Sequence, residues 1–536
     1  MIVRNFPAMH SPVVPVLVAL VSMSAPVAAQ ALRQRLVVVI TVDQLRPDYL
    51  ERWRPQLTGG LGRLWREGAV FTDAYQDHAV TETAPGHATV LSGRWPAHTG
   101  ILSNDRGVAD PVAPLVGAEG PGASPRRFRG TTLFDWLKAK EPRTRVLSVS
   151  RKDRGAILPV GRAREHVYWY AGGGFTTSTY YADSLPAWVR EFNAREVPRR
   201  YAGRPWSLVL AARAYPEPDD QPWEDPLGYF ADRTFPHRWP ADSAASALAF
   251  PNRPEMDSLT LAFALAGAEA LRLGRSGTTD LLAVSLSTLD AVGHTFGPSS
   301  REVHDMVLRL DRYLGWFLER VLRRYGRANV VVALTADHGV SPYPAEARAA
   351  GRAGAAAVTI DTLIRAVNAT LGAAATTGGE PVALRFDPGM VFLAGTQALG
   401  AAGVNADSLV EAVAARIRAV PCIGRVDRPR DLASADTARD AVARRWLHHV
   451  PDDAGVVLVV TPGPDCVWGD GSYAMHGLPS DLDARVPLIL WGAGIKRGAY
   501  RSRVATVDLA PTLARLLRVT PGEPLDGRAL TEALRN

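Results

Sequence analysis

Short apolar runs recur along this chain and alternate with longer helical patterns. The runs cover residues 36–42, 144–149, 279–286, 329–335, 456–461 and 486–491. Each has the length of a buried strand, and strands that alternate with helices are typical of a parallel sheet. The pattern therefore predicts an α/β fold with a mainly parallel sheet sandwiched by helices.

The longest helical pattern covers residues 301–325, where apolar side chains recur at three- and four-residue steps. This spacing predicts an amphipathic helix that packs on the sheet. Ser299 or Ser300 can cap its start. Because the helix connects the candidate strands 279–286 and 329–335, we expect a crossover between parallel strands.

Three stretches interrupt the alternation of strands and helices. Residues 105–130 are rich in Pro, Gly and Ala, which indicates a surface loop. Residues 155–275 contain many Tyr and Trp side chains, and we interpret them as a subdomain or long insertion at the mouth of the site. Residues 342–455 are Ala-rich and helical with short strands, which predicts an inserted α+β lobe.

The first 29 residues resemble a secretory signal peptide. Arg4 gives a positive start, residues 13–21 are apolar, and residues 25–29 offer small side chains for cleavage. An uncleaved anchor is the alternative. No other run approaches 18 apolar residues, so we expect no stable membrane insertion. We expect residues 30–536 to form one domain that is exported to the periplasm or the medium.

Composition and charge exclude some classes of partner. The chain has 536 residues, of which 47% are hydrophobic and 21% charged, as in a globular protein. Its net charge of +7 becomes +6 without the first 29 residues, whose one charged side chain is Arg4. No block of Lys and Arg with interleaved aromatics is present, so we expect no nucleic-acid partner. The positive charge is suited to attracting small phosphate-bearing substrates.

Cys422 and Cys466 are the only cysteines of the chain. In an oxidising compartment they can form one disulfide, and two buried thiols are the equal alternative. Their spacing fits neither a zinc cluster nor a catalytic cysteine. The sequence indicates no particular oligomeric state.

Side chains that bind metals stand just after several of the candidate strands. The six are Asp43, Asp290, His294, Asp337, His338 and the later His476. In an open α/β sheet, ligands bind at the carboxyl ends of the strands. Each short pair alone is better explained by a capped turn. Their joint appearance favours a pair of divalent metal ions, which is typical of a hydrolase.

Residues 81–89, with the sequence TETAPGHAT, offer a nucleophile. Thr83 is expected just before a helix N-terminus, where backbone N–H groups favour an anion. A hydroxyl bound to a metal loses its proton readily. Thr81 is the rival nucleophile, and an ordinary N-cap is the non-catalytic alternative. We assign His87 a structural role.

Lys152 and Arg154 follow the candidate strand at 144–149. Two cations at a strand end can hold a dianionic phosphoryl group, the Arg by paired hydrogen bonds and the Lys as a point charge. Asn104 can donate its amide to a phosphoryl oxygen. For Lys152 and Arg154 the alternative is a solvated surface pair, and for Asn104 it is an ordinary turn residue.

Together these motifs resemble those of the alkaline phosphatase superfamily, in its type I phosphodiesterase / nucleotide pyrophosphatase branch. Within that branch the chain is similar to the phosphate-irrepressible bacterial alkaline phosphatases that use a threonine nucleophile. The matching segments are 41–46 (TVDQLR), 83–87 (TAPGH), 98–101 (HTGI) with Asn104, 152–155 (KDRG), 290–294 (DAVGH), 336–339 (ADHG) and 476–477 (HG). They occur in the order of the family over nearly the whole chain.

The resemblance implies an alkaline-phosphatase-like fold with two Zn²⁺ ions, a choice that mixed Asp and His ligation also favours. The residues that match the ligands of one ion are Asp290, His294 and His476. Those that match the ligands of the other are Asp43, Asp337, His338 and the oxygen of Thr83. The resemblance also implies attack by Thr83 on phosphorus, a phosphothreonine intermediate and release of inorganic phosphate.

Lys152 and Arg154 distinguish monoester from diester chemistry. A monoester presents a dianion with three free oxygens, so cationic contacts gain more with it than with a diester. Diesterases of the family resemble this chain at the metal ligands but typically lack the pair. We therefore expect an exported zinc-dependent alkaline phosphatase that acts on small phosphate monoesters. No carboxylate set for a third metal, magnesium, is evident, and the resemblance suggests that the lysine takes over its task.

Other functions fit the sequence less well. A phosphodiesterase or nucleotide pyrophosphatase is the nearest alternative. A non-catalytic phosphate-binding protein predicts the loss of some ligands, yet all six and the nucleophile are present. A sulfatase needs a Cys or Ser nucleophile followed two residues later by Pro and then Arg, whereas Thr83 is followed by Ala, Pro and Gly.

Overall fold

The computed structural model describes residues 35–224, 232–275, 277–374, 383–395, 399 and 404–535. The signal peptide predicted at 1–29 lies outside these residues, as does Val382 at the start of a predicted short strand. Within the described part of the chain, no helix has the length and apolar character needed to cross a membrane.

The strands of the described residues are short and regular. In chain order they are β1 (Leu36–Val42), β2 (Ala69–Phe71), β3 (Ala74–Tyr75), β4 (Val146–Ser150), β5 (His166–Ala171), β6 (Gly174–Thr176), β7 (Asp280–Leu286), β8 (Val330–Thr335), β9 (Ala356–Val358), β10 (Ala383–Asp387), β11 (Met390–Ala394), β12 (Ile423–Asp427), β13 (Val456–Pro462), β14 (Cys466–Trp468), β15 (Leu488–Gly492), β16 (Gly498–Tyr500) and β17 (Val504–Ala505). The α-helices cover Pro47–Arg52, Gly60–Glu67, Thr83–Ser92, Pro96–Thr99, Leu133–Lys140, Asp153–Ile157, Ala187–Asn193, Ser243–Ala249, Glu255–Ala270, Thr288–Phe296, Arg301–Tyr325, Pro344–Ala349, Asp361–Ala374, Ala406–Arg418, Pro429–Leu432, Ala441–His449, Asp481–Ala484 and Leu509–Leu517.

The central sheet has nine strands in the order β16-β2-β15-β8-β1-β7-β4-β5-β6. The five strands from β8 to β5 run parallel to one another. Strand β15 pairs antiparallel with β8 and β2, and β6 pairs antiparallel with β5. The mainly parallel sheet expected from the sequence is confirmed, with antiparallel strands towards its edges.

Both faces of the central sheet are buried. Along β1, Leu36 and Val38 belong to one apolar core and Val37 belongs to the other. Side chains alternate between the two faces of a strand, and a strand buried on both sides reads as a continuous apolar run. Helix Arg301–Tyr325 packs into the first core and helix Thr83–Ser92 into the second. The expected sandwich of sheet and helices is therefore confirmed.

The long amphipathic helix covers Arg301–Tyr325, the range that its apolar spacing predicts. Of the two possible caps, Ser300 is the one used: its Oγ accepts a hydrogen bond from the backbone N–H of Val303 at 3.1 Å. The helix connects β7 to β8, and both strands pair in parallel with β1. The crossover therefore places the carboxyl ends of these three strands side by side.

The apolar run at 456–461 is a strand, but it lies outside the central sheet. As β13 it pairs antiparallel with β11 and β12 in a separate four-stranded sheet of order β10-β11-β13-β12. An apolar run predicts burial and cannot identify its pairing partner, so the sequence did not separate this sheet from the central one. Residues 342–455 supply the other strands of this antiparallel lobe, and the insertion boundaries at 155–275 and 342–455 stay predictions.

A disulfide joins Cys422 and Cys466, whose Cα atoms are 6.1 Å apart. Of the two alternatives that the sequence leaves open, the structure has the bonded form. Cys422 directly precedes β12 and Cys466 begins β14. The bond therefore ties the antiparallel lobe to the segment that leads to His476.

Aromatic side chains of the segment 155–275 contribute to the core. Tyr168, Tyr170 and Trp206 are buried in the same apolar core as helix Arg301–Tyr325. The indole N–H of Trp206 and the hydroxyl of Tyr215 both donate to the carboxylate of Asp305 on that helix, each at 2.7 Å. These contacts fix the segment to the helix that connects β7 and β8.

Candidate metal and phosphate site

The carboxyl ends of β1, β7 and β8 carry most of the predicted ligand residues. Asp43 follows β1, Asp337 and His338 follow β8, and Asp290 lies on helix Thr288–Phe296 after β7. Two groups of ligand atoms form here, each with all its atoms within 4.8 Å of one another: Asp43, Asp337 and His338, and Asp290, His338 and His476. The fold thus brings five of the six residues into two adjoining groups that share His338.

His294 lies beside these groups without belonging to either. It follows Asp290 by one helical turn, and its Nε2 is 3.1 Å from Asp290 Oδ1. The ring centroids of His294 and His476 are 4.9 Å apart. Its side chain is 24% exposed, so His294 stands at the solvent edge of the site.

All three predicted histidine ligands are oriented by a backbone carbonyl. Nδ1 of His294, His338 and His476 lies 2.6, 2.9 and 2.9 Å from the oxygens of Ala474, Gly339 and Thr81. Because a carbonyl only accepts, Nδ1 of the neutral ring carries the proton, and Nε2 keeps its lone pair for the site. Metal-ligating histidines share this arrangement.

Several buried ligand atoms lack an ordinary hydrogen bond and contact only other ionisable side chains of the site. They are both carboxylate oxygens of Asp43, Oδ2 of Asp337 and Nε2 of His338, and these three side chains are fully buried. Burial of unpaired polar groups costs free energy. Divalent cations would satisfy all of these atoms at once, so the residues present fit bound metal ions.

Lys152 lies between the two groups. Its Nζ is 2.6 Å from Asp43 Oδ2, 2.7 Å from Asp290 Oδ2 and 3.2 Å from Thr83 Oγ1. Burial and Asp290 act to raise the pKa of Asp43, but Lys152 and His338 outweigh them and lower that pKa. Burial also acts to raise the pKa of Asp290, but Lys152 and His294 outweigh it and keep that pKa well below the ordinary value. Both carboxylates are therefore ionised.

The two buried histidines differ in their electrostatic surroundings. Burial acts to lower the pKa of His338, but Asp337 and Asp43 outweigh it and raise the pKa to about 9. Burial and the neighbouring His338 lower the pKa of His476 to about 3. The carboxylates around His338 thus create a field that favours positive charge, while His476 is neutral near pH 7.

Thr83 is the first residue of helix Thr83–Ser92. The helix therefore begins one residue earlier than the sequence predicts. Its hydroxyl faces Lys152, as given above. The rival Thr81 donates its hydroxyl to the carbonyl oxygen of Leu478 at 2.9 Å, so its proton is already engaged. The geometry therefore favours Thr83 as the nucleophile.

The helix that carries Thr83 packs directly on the segment that carries Asp337. A Cβ on Gly86 would stand 2.2 Å from the carbonyl oxygen of Asp337, closer than any side chain tolerates. His87, in the next position, places Nδ1 3.1 Å from Asp337 Oδ2 and Nε2 2.8 Å from Ser285 Oγ. Gly86 and His87 thus set the position of the helix relative to the ligands.

Asn104 contacts the residue that follows Thr83, and Arg154 follows Lys152 by two positions. Asn104 Oδ1 accepts from the backbone N–H of Ala84 at 3.0 Å, which leaves its Nδ2 to donate elsewhere. Nη1 of Arg154 is 3.5 Å from Asp153 Oδ1, and Nε of Arg154 is buried without a hydrogen-bond partner. Among the described residues Arg154 makes no polar contact with the ligand groups, whereas Lys152 contacts both.

Sequence reasoning missed two residues of this site. Gln44 follows Asp43 and is hydrogen-bonded to Asp337 and Asp290. Glu82 precedes Thr83; its Oε2 accepts from the backbone N–H of Asn104 at 2.6 Å, and burial raises its pKa to about 7. Their position next to Asp43 and Thr83 in the chain is the one signal that could have found them.

Comparison with known proteins identifies relatives along almost the whole chain. The sequence model of the type I phosphodiesterase / nucleotide pyrophosphatase family matches residues 37–463. Alkaline phosphatase PhoV of Synechococcus elongatus is 31% identical over 532 residues, which cover 94% of this chain and 93% of PhoV. Alkaline phosphatase PhoK of a Sphingomonas species is 32% identical, with 92% of this chain and 90% of PhoK covered.

The structural comparison agrees with the sequence comparison. The crystal structure of wild-type alkaline phosphatase PafA matches with a TM-score of 0.85 at 28% identity, covering 94% of this chain and 99% of PafA. The alkaline-phosphatase-like fold with an additional antiparallel lobe is thereby confirmed. Because the family model covers most of the chain, this protein belongs to the type I phosphodiesterase / nucleotide pyrophosphatase family.

Proposed function

We propose that this protein is a metal-dependent alkaline phosphatase that hydrolyses phosphate monoesters. The observation that carries the proposal is the pair of adjoining ligand groups beside the hydroxyl of Thr83. Similarity over nearly the full chain to the alkaline phosphatases PhoV, PhoK and PafA supports it.

The residue types and their positions support two zinc ions. Asp43, Asp337, His338 and the Thr83 oxygen would hold one ion, and Asp290, His294 and His476 the other. We assign His338 to the first set because its Nε2 is 3.3 Å from Asp43 Oδ1 and 3.7 Å from Asp337 Oδ2. When bound, the two ions supply Lewis-acid stabilisation of the attacking and leaving oxygens.

Thr83 supplies the nucleophile. The Lys152 ammonium, 3.2 Å from Thr83 Oγ1, stabilises the alkoxide that remains when the hydroxyl loses its proton. The oxygen attacks phosphorus, a bond from Oγ1 to phosphorus forms, and the bond to the ester oxygen breaks. The alcohol leaves with a proton, and a water molecule then hydrolyses the phosphothreonine to restore Thr83 and release inorganic phosphate.

The remaining polar residues hold the phosphoryl oxygens. The Nδ2 group of Asn104 and the guanidinium of Arg154 can donate to these oxygens, because neighbouring residues do not use all of their N–H groups. Glu82 anchors the backbone of Asn104 and so fixes the direction of its amide. Two cationic residues around one phosphoryl group favour the dianion of a monoester over the single charge of a diester.

We also propose that the protein acts outside the cytoplasm. The signal-like composition of residues 1–29 supports export to the periplasm or the medium. The disulfide between Cys422 and Cys466 supports it independently, because disulfides persist in oxidising compartments.

A comparison of two esters of the same phenol tests the function. The zinc-loaded protein is given 4-nitrophenyl phosphate and the methyl diester of 4-nitrophenyl phosphate, and kcat/KM is measured for each. We expect the monoester to be preferred by roughly 100-fold, or about 2.7 kcal/mol of transition-state stabilisation. A preference for the diester would assign the chain to the phosphodiesterases of its family, and no turnover of either ester would contradict hydrolytic function.

A further inference from the structure

Gln44 touches both groups of ligand residues. Its backbone N–H donates to Asp337 Oδ1 at 3.2 Å, and its side-chain Nε2 donates to Asp290 Oδ1 at 3.0 Å. Asp337 follows β8 and Asp290 follows β7, and these strands lie on either side of β1. A single buried residue at the end of β1 therefore spans the site from one ligand group to the other.

The backbone of Gln44 adopts a costly conformation at this point. Its φ of 65° lies in the left-handed region that side chains other than Gly, Asn and Asp rarely adopt. Residues are held in such conformations where the surrounding structure requires it, and they cluster at functional sites. Here the conformation accompanies two hydrogen bonds, one from the backbone to Asp337 and one from the side chain to Asp290.

Gly293 provides the space for the side chain of Gln44. This glycine lies inside helix Thr288–Phe296, between Asp290 and His294, where alanine would be the better helix former. A Cβ at position 293 would stand 1.8 Å from Gln44 Oε1. The missing side chain thus allows the amide of Gln44 to approach Asp290.

We propose that Gln44 is a positioning residue that sets the relation between the two metal sites. Each of its hydrogen bonds occupies Oδ1 of an aspartate and leaves Oδ2 of that aspartate for another partner. Oδ2 of Asp337 lies 3.1 Å from Nδ1 of His87, and Oδ2 of Asp290 faces Lys152. Gln44 therefore orients both carboxylates, Asp290 through its side chain and Asp337 through its backbone. This inference rests on the proposed metal-dependent function.

Gln44→Met separates the two contacts. Methionine has a similar length and keeps the backbone N–H to Asp337, but it cannot donate to Asp290. Loss of a residue that orients a metal ligand typically weakens metal binding by about 10–100-fold. We expect the affinity for one zinc ion to fall by that factor, while the affinity for the other changes by less than about threefold. Competition with a chromogenic zinc chelator measures both dissociation constants without reference to catalysis.

Two further variants keep the test valid if Gln44→Met folds poorly. Gln44→Asn retains an amide and tolerates the left-handed conformation, but its donor is one methylene too short to reach Asp290. Gly293→Ala displaces the amide while Gln44 itself is unchanged. For each we expect the same selective loss of zinc affinity, with a thermal unfolding midpoint of the metal-free protein within about 3 °C of the native value.

Gln56→Met is the matched control. Gln56 is another glutamine with a hydrogen-bonded amide: its Nε2 donates to Ala214 O at 2.9 Å, and its Oε1 lies 2.6 Å from Nε2 of His304. It contacts none of the proposed ligands, so both zinc affinities should equal those of the native protein.

The zinc titrations separate two kinds of failure. If the native protein binds no zinc, the proposed function fails before the inference is reached. If the native protein binds two ions and the Gln44 and Gly293 variants bind both equally well, the positioning role is refuted. An equal loss at both sites in Gln44→Met refutes it too, because the contact to Asp337 is retained.

Discussion

Replacement of Arg154 by alanine tests the preference for monoesters most directly. Lys152 contacts Thr83, Asp43 and Asp290, so its removal disturbs the nucleophile and the ligands as well as the phosphoryl group. Within the described chain the Arg154 guanidinium has a polar contact only with Asp153, at 3.5 Å. Arg154→Ala therefore removes one guanidinium and leaves the rest of the site in place.

The expected loss of kcat/KM in Arg154→Ala follows from the charge on the substrate. A hydrogen bond to a charged group contributes about 1.5–3 kcal/mol. At about 1.4 kcal/mol per factor of ten, its loss lowers kcat/KM for a dianionic monoester roughly 10–150-fold. A diester carries one charge instead of two, so we expect about half of that free energy and a loss of roughly 3–12-fold.

The assay compares both esters of 4-nitrophenol with native protein, Arg154→Ala and the control Arg164→Ala. Arg164 lies over the ring of Tyr180 at 4.7 Å, so this control removes an equal charge elsewhere. Arg164→Ala should leave both rates unchanged. Equal fold-losses on the two esters in Arg154→Ala, or no loss on either, would refute the assignment of Arg154 to the phosphoryl group.

Other predictions concern the nucleophile, the metals and one buried carboxylate. Thr83→Ala should lower kcat at least about 1000-fold while zinc content, measured by atomic absorption, stays at two per chain; retained turnover would place the nucleophile elsewhere. A strong chelator should abolish activity and zinc should restore it, and indifference to the chelator contradicts the metal-dependent mechanism. Burial acts to raise the pKa of Asp77, but Arg444 and Arg445 outweigh it and lower the pKa to about 2. Asp77→Asn should therefore reduce the unfolding free energy by about 2 kcal/mol near pH 7. This contribution is present above about pH 4 and is lost as the pH falls towards 2, so urea unfolding should show a smaller difference at pH 3; an equal difference at both pH values contradicts it.

The elements that sequence predicts best are those buried on both sides. Strands β1, β7 and β8 read as continuous apolar runs because helices cover both faces of the sheet. Helix Arg301–Tyr325 shows its apolar stripe because one side contacts the core and the other faces solvent. In both cases burial alone determines the pattern, and buried positions can be recognised because they carry apolar residues.

Pairing partners and tertiary contacts are less predictable. The run that forms β13 has the same apolar character as β1, and it nevertheless pairs in the separate antiparallel sheet. At the site, Asp and His residues after strands could be predicted from residue type and position. The sharing of His338 by two groups, the partly exposed position of His294 and the double contact of Gln44 depend on distances between remote segments, which no local pattern contains.

The order of the ligand residues along the chain has a consequence for biosynthesis. Asp43 is made early, whereas His476 and the β15 strand that pairs with β8 come close to the end. A ribosome-bound chain therefore lacks part of the ligand set and part of the sheet until translation is nearly complete. Under the proposed function, the hydrolytic site is therefore complete only after most of the chain has been made.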